Sequence, residues 1–400
     1  MNEQFKAIAA KYHDEIVQTA SELIQINSQS MYEGELAQYI VDKMNKLGYD
    51  SVEVDKYGNV FGTMQGTGGG SSVMLNCHLD VVDGGDESRW KYPPYSGAIA
   101  EGRVWGRGAS DTKGTMAIYL YAPVMLKEAG LLPKGDIVVA EVISEEIAGY
   151  GAMMHTSEDR MLTDYAVVGE ATENDIAIGS RGRCCVVVTI TGKSCHASIP
   201  HTGANPFAFL TQLLPKLEKV ELSSDEMFGS STMSLTRITS SEKGSNIIPN
   251  EIQLFIDFRQ TGDDTLENVE KKIQACVDAC EVKDVSAKVE ILYFPLHTYT
   301  GLEGMGFQGE HPFFVSADAD YIVQAKAAIE AAVGHEIKTK PWAFATDTGH
   351  YSRKGTKCLG YSPAEIKLCH TTEDSISIEM MAEGTIGTLA VTYALANNEK

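Results

Sequence analysis

The stretch MLNCHLDVV, residues 74–82, runs from an apolar segment straight into a histidine and an aspartate two positions apart. VMLNC (73–77) reads as a strand buried on both faces, because its apolar character is continuous rather than alternating. DIVVAEVI (136–143) and YAVVGE (165–170) have the same character. Between them lie helical patterns. Residues 4–27 place Phe5, Ile8, Tyr12, Ile16, Leu23 and Ile24 near one face. Residues 34–47 end at Gly48, and 113–129 form a third helix. SVEVD (51–55) and NVFGTM (59–64) are short strands. Strands alternating with helices predict an α/β layer with a mixed, mostly parallel sheet between helices. The glycine-rich run at 66–72 lacks the Lys-Ser/Thr and helix of a phosphate loop and reads as a plain connection.

The pattern changes near residue 181. RCCVVVTITGKS (183–194), a helix at 205–220, STMSLTRITS (231–240), EIQLFIDFRQ (251–260), a helix at 263–280 and SAKVEILYF (286–294) follow in the order β-α-β-β-α-β. That order predicts a ferredoxin-like α+β domain. The α/β pattern then resumes, with a helix at 318–333, a strand near 356–361 and a helix at 376–397. The expected division is 1–180 and 297–400 for one domain and 181–296 for a second inserted into it; compact domains often have neighbouring termini. A length of 400 residues, 43% of them apolar, agrees with two cores.

The formal charge of −22 argues against a nucleic-acid partner, which needs a basic stripe. No apolar run approaches the ~18 residues of a membrane span, and the first residues mix charges with apolar positions, unlike a secretory signal. Eight cysteines are spread thinly, unlike a disulfide framework, so the cytoplasm is the expected compartment.

Acids and histidines recur just after apolar strands: His78 and Asp80 after VMLNC, Glu145 and Glu146 after VVAEVIS, and Glu170 after YAVVG. Asp111 in GRGASDTKG and His370 in KLCHTTED complete the set. Each alone has an ordinary reading: an incidental His-x-Asp, a solvated glutamate pair, a turn aspartate capping a helix, a surface histidine. In open α/β sheets, however, ligand sites lie beyond the carboxyl ends of the strands. Two neutral imidazoles with three carboxylates suit a pair of divalent ions, most naturally zinc, with cobalt or manganese as alternatives.

HLDVV (78–82), WGRGASDTKG (105–114), SEE (144–146), VGEAT (168–172), CHASIPHTGANP (195–206) and CHTTED (369–374) stand in the order found in a known family. The chain resembles the dinuclear-metal peptidases that include aminoacylase, acetylornithine deacetylase, succinyl-diaminopimelate desuccinylase, carnosinase, tripeptidase and carboxypeptidase G. Cys77 departs from the glycine usual there. The resemblance implies that Asp111 bridges two metals, that His78 and Glu170 complete one ion, and that Glu146 and His370 complete the other. It also implies that Asp80 accepts the second N–H of His78, fixing its tautomer. Glu145 would be the general base toward a metal-bound water. Adjacent glutamates at a strand end would point to different sides, one to metal and one to water.

For the inserted domain, the resemblance implies a lid and dimerisation role. His196, with His201 as the near alternative, would stabilise an oxyanion, often in the partner subunit's site. Asn246 and Arg259 would bind a substrate carboxylate, the guanidinium bidentately. In WAFATDTGHYSRKG (342–355), Thr346, Asp347 and His350 either line the substrate pocket or begin a helix with an aspartate cap. KPWAFATDTG (340–349) and YTGLEGMGFQGEHPFF (299–314) are similar to a subgroup of hydrolases linked to selenium metabolism and nitrogen scavenging. The expected protein is a cytoplasmic, homodimeric metallohydrolase. It would cleave the amide bond of an N-acyl amino acid or short peptide that bears a free carboxylate. An N-carbamoyl amino-acid hydrolase and a catalytically silent metal- or ligand-binding protein are the alternatives.

Overall fold

Four strands, Ile137–Val142, Val73–His78, Tyr165–Val168 and Lys357–Tyr361, lie side by side and parallel in the computed structural model. The first three are buried along their whole length, as continuous Val, Ile, Leu and Ala runs require. The structure describes residues 1–261, 264–307 and 309–400. The start of the expected helix at 263 and Gln308 of the 299–314 segment lie outside those residues.

The chain divides into two units. One comprises Met1–Ser180, Pro295–Gly306 and Phe313–Lys400, and the other Arg181–Phe294 and Phe307–Pro312. In the first, antiparallel strands extend the parallel core on both sides. Val60–Met64 and Ser51–Val54 continue it beyond Ile137–Val142, and Ile176–Ser180 continues it beyond Lys357–Tyr361. The sheet is therefore mixed, as expected. Helices Asn2–Gln25, Gly114–Glu128, Asp320–Val333 and Ile378–Ala396 pack on one another in a layer. On another part of the sheet, Phe61, Met74, Val138, Ala166, Trp342 and Tyr351 form a buried cluster. Gly48 ends the helix Gly34–Leu47 in the left-handed region, at φ 77°, where a side chain would be strained.

The main strands of the second unit's sheet run in the order Thr232–Ser240, Glu251–Gln260, Gly182–Thr191, Ser286–Ile291, all antiparallel, and the short strand Gly309–Glu310 also pairs with Gly182–Thr191. Numbered along the chain this is 2-3-1-4, the ferredoxin-like arrangement. Helix Pro206–Leu217 starts where Asn205 Oδ1 accepts the Phe207 N–H at 3.0 Å, with proline at the first helical position. It and Leu266–Asp278 bury Phe209, Leu213, Ile273 and Val277 against alternate residues of the strands, including Val186, Leu254, Ile256 and Phe258. Phe258 is fully enclosed there. Phe258→Ala is expected to destabilise this unit by about 3–5 kcal/mol through lost burial and a residual cavity. Urea unfolding followed by a probe placed in the second unit checks this; a shift under about 1 kcal/mol would contradict the packing described.

Candidate metal centre

His78 is the last residue of its strand and stands in register with Val142, so both strands release their chains at the same sheet edge. The strand beyond Val142 does not carry the two glutamates as expected. Ser144 turns the chain through the left-handed region, at φ 53°, and Glu145 and Glu146 open the short helical turn Glu145–Ala148. Their separation comes from a helical turn, not from the alternation of a strand. Asp80 explains why the turn is held. Its Oδ1 accepts the Glu145 N–H at 2.9 Å, and its Oδ2 accepts the Glu146 N–H at 3.1 Å and the Ser30 hydroxyl at 2.6 Å.

That use of the carboxylate changes what Asp80 does for His78. The Nδ1 of His78 lies 2.9 Å from the Asp80 carbonyl oxygen but 3.6 Å from Oδ1. A carbonyl can only accept, so Nδ1 carries a proton, and Nε2 is the nitrogen left to face Asp111 and Glu170. The contact at Nδ1 thus comes from the backbone of Asp80, where the resemblance implied its side chain.

Two further residues brace the glutamate turn, and the sequence reading did not single them out. Glu33 is buried, and its Oε1 accepts from the Ser144 N–H at 3.1 Å and the Ser144 hydroxyl at 3.0 Å. Asn59 accepts the Ile143 N–H at 3.0 Å and donates to the Gly151 carbonyl at 3.2 Å. Both sit in polar surroundings in the sequence, and nothing there marks them off from solvated side chains.

Asp111 stands between the two imidazoles. Its Oδ1 is 3.0 Å from His78 Nε2, and its Oδ2 is 2.9 Å from His370 Nε2. Glu170 Oε1 is 3.5 Å from His78 Nε2, and Glu146 Oε1 is 3.0 Å from His370 Nε2. Donor atoms of His78, Asp111 and Glu146, and of His78, Glu145 and Glu170, lie within 4.8 Å of one another. Donors about 2.0–2.2 Å from one ion stand roughly 2.9–3.5 Å apart for angles from square to tetrahedral. The observed spacings fall in that range on both sides of Asp111.

The electrostatics call for cations. Burial pushes Glu145 and Glu170 well above the usual carboxylate range, and Glu170 and Asp111 respectively add to it. Burial also raises Glu146. Burial would raise Asp111 too, but the His370 and His78 imidazoles hold it below the ordinary value. Hydrogen bonds to Asp111 and Glu146 push His370 up to about 10. Several acids gathered this closely are costly to ionise without compensating positive charge. Nitrogen and oxygen donors of this kind suit a borderline divalent ion. The donor set therefore fits the two-ion site that the sequence suggested.

Asp347 lies near enough for its charge to raise both Glu145 and Glu170. It is buried and precedes the helix Thr348–Arg353, but its side chain makes no capping hydrogen bond there. Thr346 is buried beside it, with its hydroxyl 2.6 Å from that of Thr348. Burial pushes His350 down to about 4, so it stays neutral near pH 7.

In the second unit, the exposed His196 pairs in register with Ile247, next to Asn246, on a short ladder, and its Nδ1 is 2.8 Å from the Ser198 hydroxyl. His201 lies in the turn Pro200–Thr202. Arg259 sits near the far end of strand Glu251–Gln260, with its Nε 2.7 Å from Asp257 Oδ1. The strand carries it roughly 27 Å from Glu251, at about 3.4 Å per residue. Asn246 lies before that strand begins, so within one chain Asn246 and Arg259 do not converge on one carboxylate.

The pattern of Peptidase family M20/M25/M40 matches residues 74–391, a span that holds all the donors above. The chain belongs to this family. Among curated relatives of this M20 chain, the Escherichia coli K12 protein YgeY is 26% identical over 381 residues, 93% of each chain. Succinyl-diaminopimelate desuccinylase of Paracoccus denitrificans is 31% identical over 272 residues, 64% of this chain and 70% of that one. Among solved structures, the Bacillus subtilis YXEP protein, described as a dinuclear metal binding peptidase of family M20, superposes with a TM-score of 0.69. It is 14% identical and covers 97% of this chain and 99% of its own. The M20 chain is thus a metallohydrolase of the peptidase and desuccinylase type. No helix among the described residues is long and apolar enough to cross a membrane.

Proposed function

We propose that this chain hydrolyses the amide bond of an N-acyl amino acid or a short peptide with a free carboxylate, using two divalent ions, most naturally zinc. The observation that carries the reading is the division of Asp111, one oxygen toward His78 and Glu170 and the other toward His370 and Glu146. When bound, such ions polarise the scissile carbonyl and lower the pKa of water at the site. His78, Asp111 and Glu170 would hold one; Asp111, Glu146 and His370 the other.

Glu145 takes a proton from the attacking water and returns it to the leaving nitrogen. Asp80, through the two N–H groups it accepts, keeps Glu145 and Glu146 aimed from one turn. Arg259 reads the substrate carboxylate with its guanidinium fork. Asn246 and His196 assist from a second copy, since Asn246 is a strand's length from Arg259 in its own chain. Thr346 and Asp347 border the substrate. The eight cysteines are all free, in keeping with a reducing compartment such as the cytoplasm.

Purified protein loaded with zinc, manganese or cobalt and offered N-acetyl, N-succinyl and N-carbamoyl amino acids and dipeptides tests the reading. Release of the free amino acid from an acyl or peptide substrate supports it. Turnover of the carbamoyl compounds alone, or none with ions bound, replaces it with one of the alternatives. Asp80→Ala is expected to lower kcat/KM by about 10–100-fold, as for other groups that orient metal ligands, with Asp80→Asn less affected because it keeps one acceptor. Steady-state kinetics at saturating metal checks the order; equal activity in all three would show that the turn needs no such anchor.

A further inference from the structure

Asp111 and His370 are distant in the sequence, yet the segments beside them are sewn together by one buried side chain. Asp374 is fully enclosed. Its Oδ2 accepts the Gly108 N–H at 2.7 Å, and its Oδ1 accepts the Ser110 N–H at 2.9 Å, immediately before Asp111. Its backbone carbonyl accepts the Gly106 N–H at 3.0 Å. Arg107 Nη1 donates to Asp374 Oδ2 at 3.2 Å and to the Thr371 carbonyl at 3.1 Å, next to His370, while its guanidinium stacks 4.9 Å from the Trp90 ring centroid. The Ser110 hydroxyl donates to the Ser375 carbonyl at 2.9 Å.

Residues 106–108 lead into the helical turn Ala109–Lys113; the Ala109 N–H is met by the Gly106 carbonyl at 3.0 Å, and the other buried N–H groups of 106–110 need acceptors from outside the loop. Gly108 lies at φ 85°, and a Cβ there would stand 2.6 Å from Val81 Cγ1, so the loop is also closed from the other side. By contrast, His78 leaves a strand end, and the turn with Glu145 and Glu146 rests on Asp80.

We propose that Asp374 is the positioning residue that holds the Asp111 loop against the His370 segment, and so sets retention of the ion shared by Asp111, Glu146 and His370. This rests on the two-ion reading above. Asp374 touches neither ion nor substrate; it acts through the backbone on either side of two ligands. Ligand geometry must hold to within about 0.5 Å for tight binding, and a loosened loop exceeds that. The ion on the His78 and Glu170 side keeps its strand-end ligands and is lost second.

The test compares wild type, Asp374→Asn and Asp374→Ala dialysed against buffered free zinc, with Arg107→Lys as a milder third variant should the alanine fail to fold. Zinc content is expected to fall from about two per chain to about one, with affinity for the second ion weakened about 10–100-fold. Excess zinc restores turnover with KM unchanged. In the metal-free proteins, exchange of the Gly108 and Ser110 amides is expected to be at least about tenfold faster in the variants, while core amides are unaffected. Two ions retained by every variant at wild-type affinity, or unchanged exchange at these amides, overturns the role of Asp374 alone. Wild type that takes up no zinc overturns the two-ion reading, and this proposal with it.

Discussion

Glu145→Gln lowers kcat by about 10²–10⁴-fold, the usual contribution of a positioned base, while zinc content stays near about two per chain. The amide keeps the size of the carboxylate and its place at the start of the turn, where the backbone N–H is held by Asp80 Oδ1 at 2.9 Å. It cannot take a proton. The proposed metal ligands Glu146, Glu170 and His78 would keep their places, and removing one negative charge relieves Glu170, whose neutral form is favoured by burial and by the neighbouring acids. KM should therefore move little, because the loss falls in the transition state. Kinetics and elemental analysis on the same preparation decide this. Activity within a fewfold of wild type would remove Glu145 as base; full inactivity with the metal gone would make it a ligand.

The second large effect is at Asp111. Zinc held by four donors is worth roughly 10–16 kcal/mol, or about 3 kcal/mol per donor, which is about 100-fold in affinity. Asp111 serves both sides of the site through separate oxygens, so Asp111→Ala removes a donor from each ion and weakens the pair by about 10⁴-fold together. Zinc content after dialysis should fall from about two to none, and turnover with it. Asp111→Asn keeps an oxygen for one side and should retain about one ion. Alanine and asparagine variants with equal, nearly full zinc would show that Asp111 does not bridge. The contrast with Glu145→Gln matters: one variant loses chemistry and keeps ions, the other loses ions first.

The backbone of this reading was legible because parallel strands covered on both faces carry unbroken apolar runs. Val73–His78, Ile137–Val142 and Tyr165–Val168 announce themselves, and polar residues directly after them must sit at the sheet edge. The β-α-β-β-α-β order around 181–296 likewise shows in alternation such as Ile252, Leu254, Ile256 and Phe258 against helices with Phe209 and Ile273. The short strands Phe313–Phe314 and Thr339–Trp342 were not legible. They are too short to show a period and pair only because Ile176–Ser180 offers an edge.

Within the site, residue types were legible and supports were not. Nothing about Ser144 signals the left-handed region, since it is neither glycine nor asparagine; it is held there by Glu33, over a hundred positions away. That one turn converts an expected strand end into a helical turn and reassigns the Asp80 carboxylate from imidazole to backbone. Asp374 closes the CHTTED motif, and a lone aspartate four residues after a histidine looks like any solvated acid. Its partners Gly108 and Ser110 meet it only through the fold. The separation of Asn246 from Arg259 follows from strand length, which could have been counted in advance from the continuous alternation of 251–260.

The most direct test of the central claim is anomalous scattering at the zinc edge from crystals of the wild-type chain equilibrated with zinc, with elemental analysis of the same material. The account predicts two peaks. One lies among Asp111 Oδ1, His78 and Glu170, the other among Asp111 Oδ2, Glu146 and His370. A single peak, or none, between these side chains in zinc-saturated protein would contradict it.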